Sequence, residues 1–128
     1  MLLDSNVIIW WLQGNQNLGT KARNIVTSSD HTLIASIFTL FEIELKRKSG
    51  KLRLDLPVLG FLESYNVRVY SPPAEELADL LKPQLSQKDP FDRALVGLAN
   101  IKKWPLLTSD EMIIAEGQQY AEIIDSRL

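Results

Sequence analysis

Asp4, Asp92 and Asp110 are the residues of this 128-residue chain whose types and positions first point to chemistry. Asp4 directly follows the apolar pair Leu2-Leu3, and Asp110 follows Leu106-Leu107-Thr108 by two residues. Asp92 stands in the first turn of a helical pattern that starts at Pro90. In a parallel α/β sheet, strand C-termini and helix N-termini gather along one edge, and ligands bind there. Carboxylates brought together raise one another's pKa unless something positive sits among them. A hard divalent cation with oxygen ligands is the usual answer, and magnesium commonly takes a few carboxylates together with water and substrate phosphates.

Each acid taken singly has a simpler role. Aspartate is a preferred N-cap, and an acid in a first helical turn complements the helix dipole. Asp89-Pro90 reads almost completely in this way, as a cap followed by proline at the first helical position. Asp89 is therefore assigned a mainly structural role. The helix expected over Ile37 to Lys48 contributes a further acid, with its apolar stripe on Ile37, Phe38, Phe41 and Leu45. Glu42 and Glu44 both border that stripe, so helical phase does not choose between them. A surface pairing of Glu44 with Lys48, or of Glu42 with Lys46, accounts for either one.

The remaining inventory narrows the chemistry. There are no cysteines, which removes disulfides, thiolate metal sites and thiol nucleophiles. His31 is the single histidine, beside Asp30 in an expected turn, so two-histidine acid–base chemistry and multi-histidine zinc sites are excluded. No phosphate-binding glycine loop, dinucleotide fingerprint or nucleophile elbow occurs. A formal net charge of -2 does not mark a nucleic-acid binder, so such a partner requires a local basic patch. Lys46, Arg47, Lys48, Lys51 and Arg53 form the densest basic run, and Lys88 and Arg93 flank Asp92. A solvated helix end accounts for the run as well as phosphate binding does. Of Trp10 and Trp11, one is expected in the core.

The elements that must position these residues alternate between two kinds. Short strands are expected at Leu2-Leu3, Thr32 to Ala35, Val67 to Tyr70, Leu106 to Thr108 and Ala121 to Ile124. Several are uniformly apolar, as suits strands covered on both faces. Helices are expected at Val7 to Leu12, Thr20 to Ser28, Ile37 to Lys48, Val58 to Ser64, Ala74 to Leu81, Pro90 to Lys102 and Glu111 to Glu116. This order predicts one α/β domain over residues 1–128, with a mainly parallel sheet between helical layers. The apolar N-terminus lacks a basic leader and is shorter than a signal peptide or membrane span, so a cytoplasmic protein is expected.

Four segments in this order, LLDSNVIIWWL, SIFTLFEIELKRKSGKL, KDPFDRALVGLA and LLTSD, resemble the PIN domain, and within it the VapC-type toxins of bacterial toxin–antitoxin pairs. The likeness runs from Leu2 to about Ile124, and DPFDR ahead of an apolar helix is its most specific segment. It implies a PIN-like three-layer sandwich with a short-stranded central sheet. It also implies an acidic quartet on Asp4, Glu42, Asp92 and Asp110, choosing Glu42 over Glu44 and Asp92 over Asp89. Thr108 matches the threonine two residues before the last aspartate, and Asn6 a polar position beside the first. Ser5-Asn6, Phe41 and Gln87 depart from common family choices without removing a carboxylate.

The implied activity is that of an endoribonuclease dependent on Mg²⁺ or Mn²⁺, the ion held by Asp4, Asp92 and Asp110 with Glu42 completing the shell or orienting water. Water attack leaves a 5′-phosphate and a 3′-hydroxyl. Lys46, Lys48 and Arg93 are the candidate RNA contacts. The implied partners are RNA, a cognate antitoxin and a second copy of the chain, with no membrane. Two other functions fit the fold: a catalytically silent module that binds RNA or an antitoxin, and a metal-dependent phosphohydrolase of small esters. The intact quartet argues against the first, and Asn6, standing where the phosphohydrolases carry a second aspartate, against the other.

Overall fold

A computed structural model describes residues 1–128. Five short strands, β1 (Leu2–Leu3), β2 (Ile34–Ser36), β3 (Arg68–Tyr70), β4 (Leu106–Thr108) and β5 (Ile123–Asp125), form one sheet in the order β3-β2-β1-β4-β5. Every pairing is parallel, with Leu2 beside Ile34 and Leu106 across the centre. Around it lie α1 (Ser5–Gln13), α2 (Thr20–Thr27), α3 (Ile37–Lys48), α4 (Val58–Ser64), α5 (Leu77–Leu80), α6 (Pro90–Lys102) and α7 (Glu111–Glu116).

The strands alternate between two apolar layers, as the two-residue period of a strand requires. Leu3, Ala35 and Leu107 join Val7, Trp11, Leu18, Val26, Ile43 and Leu62 on one face. Leu2, Ile34 and Leu106 join Leu80, Leu95, Leu98 and Ile113 on the other. Both faces of the sheet are covered, which makes the sandwich three-layered and explains why the strands read as continuous apolar runs. On the second face α5 and α6 touch backbone to backbone. A Cβ on Gly97 would stand 1.9 Å from the Leu80 carbonyl oxygen, so only glycine permits the approach.

Two expectations change. The pattern over Ala74 to Leu81 resolves into a 3₁₀ turn at Ala74–Glu76 running into the four-residue α5. More consequentially, of the stripe that the composition of α3 suggests, only Phe38 packs on the core. Ile37, Phe41 and Leu45 are 41%, 58% and 47% exposed, while Thr39 and Ile43 face inward. Phe38, Leu40 and Ile43 pack against the two core layers as the helix lies against α1 and α6, and that packing overrides the rest of the hydrophobic pattern.

Candidate metal centre

The chain passes from β1 to β3 on one side of the sheet and places β4 and β5 on the other, so strand order reverses between β1 and β4. Asp4 leaves the C-terminal end of β1 and Asp110 lies just beyond that of β4. Both acids therefore border the crevice where open α/β sheets bind ligands. Each also caps a helix. The Ser5 amide donates to Asp4 Oδ1 at 2.6 Å, opening α1, and the Ile113 amide donates to Asp110 Oδ1 at 2.9 Å, opening α7.

Thr108, fully buried at the end of β4, ties the two acids together. Its hydroxyl donates to Asp4 Oδ2 at 2.5 Å and accepts from the Asp110 amide at 3.1 Å. Asn6 reaches across to Ser109, its Nδ2 donating to Oγ at 3.5 Å, so it spans the same crevice from α1.

Glu42 enters from α3 and Asp92 from the first turn of α6. Phase alone leaves Glu42 and Glu44 equivalent; the fold separates them. Glu44 points outward into an ion pair with Arg47 at 2.8 Å, whereas Glu42 is half-buried and faces Asp89 and Asp92. Carboxylate oxygens of Glu42, Asp89 and Asp92 all lie within 4.8 Å of one another. Asp89 caps α6 as expected, its Oδ1 accepting from the Phe91 amide at 2.8 Å and the Asp92 amide at 3.3 Å. It is also a member of the tightest acidic group, a position the capping argument does not anticipate. The signal is present in the chain, because an N-cap and the third helical residue are brought side by side by capping geometry.

Repulsion among these groups is uncompensated. None of the five acids forms an ion pair with a lysine or arginine. Burial pushes the Asp4 carboxyl up to about 6, opposed by the bonds from Thr108 and Ser5 and aided by the charges of Glu42 and Asp110. Burial likewise pushes Asp92 up to about 8, with Asp89 the largest of four like charges acting on it. Asp4 and Asp110 lie outside the tightest group yet act on Asp92 electrostatically, so the five belong to one field. A donor set of hard oxygens with no internal cation fits a divalent ion such as Mg²⁺ or Mn²⁺.

The candidate RNA contacts divide. Lys48 is exposed and Lys46 half-exposed at the end of α3, and neither makes an ion pair. The Arg93 Nε donates to the Pro83 carbonyl at 3.0 Å, holding the segment before α6 in place. Trp11 is the core tryptophan, 5.0 Å from the Phe61 ring and 4.9 Å from that of Tyr65. His31 is exposed. Comparison with known proteins gives one family: the model described as PIN domain matches residues 1–116. No curated protein matches the chain.

Proposed function

The chain belongs to the PIN domain family, whose members are generally metal-dependent nucleases, and on that premise we propose that it is an endoribonuclease acting with Mg²⁺ or Mn²⁺. The observation that carries this reading is the gathering of five unpaired carboxylates at the strand-order reversal. Asp4, Asp92 and Asp110, with Glu42, would hold the ion. When bound, it supplies a Lewis acid that stabilises charge on phosphate oxygens and lowers the pKa of water.

The chain's own groups perform the remaining tasks. Thr108 and the Ser5 amide fix both oxygens of Asp4, so its orientation is set before any ligand arrives. Glu42 orients the attacking water from the α3 side. Hydrolysis forms a bond from the water oxygen to phosphorus and breaks the bond to the ribose 3′ oxygen, which leaves with a proton. The fragments carry a 5′-phosphate and a 3′-hydroxyl. Lys46 and Lys48 offer the positive charge that RNA phosphates need beside an acidic centre.

Within the family we assign the chain to the VapC-type toxins, acting in the cytoplasm with a cognate antitoxin and as a homodimer. No helix is long and apolar enough to cross a membrane. Partner binding is supported by an apolar surface beside the acids. Ile37, Phe41, Leu45, Leu77 and Leu81 are each more than two-fifths exposed, and an adjoining groove of about 260 Å³ runs between Phe38, Leu80 and Phe91. Contiguous exposed apolar surface of this kind marks interaction sites.

The test is cleavage of total RNA by the full chain in Mg²⁺ or Mn²⁺, with sequencing of the 5′-phosphate ends. Asp4→Asn and excess EDTA are each expected to abolish cleavage while the circular dichroism spectrum stays unchanged. Full activity in either condition overturns the proposal.

A further inference from the structure

We propose that Asp89 is a fifth carboxylate of this metal centre, one that fastens helix α6 through one oxygen and contributes its charge to the cation held beside Glu42 and Asp92. The inference rests on the metal-dependent reading above and extends its donor set to a residue outside the family quartet. Three observations carry it.

The first is position. Asp89 lies in the one group whose carboxylate oxygens all approach within 4.8 Å, and its companions there are Glu42 and Asp92. The second is bonding. Both amides that Asp89 caps, those of Phe91 and Asp92, donate to Oδ1, and no bond is made to Oδ2. Pro90 has no amide to offer, so the cap is complete with one oxygen. The third is the residue type. Asparagine and serine cap helices about as well as aspartate, so α6 does not require a charge at this position. A charge here is costly without a cation, because its carboxylate stands against those of Glu42 and Asp92 and no lysine or arginine pairs with any of the three. A carboxylate that the helix does not need and its neighbours oppose is accounted for by a cation that all three share.

The geometry also suits a positioning role. The bonds from the Phe91 and Asp92 amides tie the backbone of Asp92 directly to Asp89. A cation bound near Asp89 would thereby be coupled to the orientation of the α6 first turn.

Asp89→Asn separates the two roles, since the amide oxygen keeps the cap and the charge is lost. Mn²⁺ binding to the full chain is measured by isothermal titration calorimetry at pH 7.5, alongside thermal melts without metal. Asp89→Asn is expected to melt at or above the wild-type temperature without metal and to bind Mn²⁺ about 10- to 100-fold more weakly. Asp89→Ser, a second neutral cap, is expected to match it and serves as the measured variant where Asp89→Asn does not fold. Wild-type Mn²⁺ affinity in a folded neutral variant overturns the assignment of Asp89 alone. Absence of Mn²⁺ binding in the wild-type chain overturns the metal reading beneath it, and the assignment with it.

Discussion

Replacing Asp92 with asparagine should stabilise the metal-free protein while removing its activity. Asp92 is half-buried and surrounded by Asp89, Asp4, Asp110 and Glu42, and its carboxyl is pushed from 3.8 up to about 8. That rise corresponds to roughly 6 kcal/mol. Solvent screening of a partly exposed group reduces this to roughly 1–3 kcal/mol. The sign follows from proton binding. Between pH 4 and 8 the folded state holds a proton on Asp92 that the unfolded chain releases, so wild-type stability falls as pH rises through that window. Asparagine is nearly the same shape and carries no charge, so the variant escapes this loss. By thermal melting without metal, Asp92→Asn should exceed the wild type by roughly 4–12 °C at pH 8, and the gap should close near pH 4. Added Mn²⁺ should raise the wild-type melting temperature and leave the variant nearly unmoved. A metal-free variant that melts at or below the wild type at pH 8 would refute the electrostatic reasoning.

Two further substitutions test how the site is held. Thr108→Val keeps the side-chain shape but removes the hydroxyl joining Asp4 to the Asp110 amide; denaturant unfolding should show a loss of about 1–3 kcal/mol. Gly97→Ala forces a Cβ to 1.9 Å from the Leu80 carbonyl and must separate α5 from α6. Urea unfolding should register a loss of about 1–3 kcal/mol, and an unchanged midpoint would contradict the close approach.

Where the chain carries its own punctuation, the fold is legible in the sequence. Ile37–Lys48, Pro90–Lys102 and Glu111–Glu116 begin where expected because Ser36, Asp89 and Asp110 each cap the helix that follows. The strands are legible as apolar runs because both faces of the sheet are covered. The outward face of α3 is not legible. Of the stripe expected for an amphipathic helix, Phe38 packs inward, whereas Ile37, Phe41 and Leu45 are exposed. Their exposure follows from how α3 meets α1 and α6, which local periodicity does not encode.

The acids show a subtler limit. Asp4 and Asp110 are predictable from their strand ends, because topology alone sends them to one crevice. Glu42 is set apart by tertiary packing, which places it against two aspartates of another element, while Glu44 pairs with Arg47 one turn along its own helix. Asp89 is obscured for the opposite reason: a local explanation is available and correct. Its cap on α6 is present, and the same bonds that make the cap hold its carboxylate against Asp92. A capping role therefore does not compete with a role in the acidic cluster; it is the means by which the charge is placed there. A sufficient local cause masks such a residue, and its crowding against Glu42 and Asp92 brings it to light.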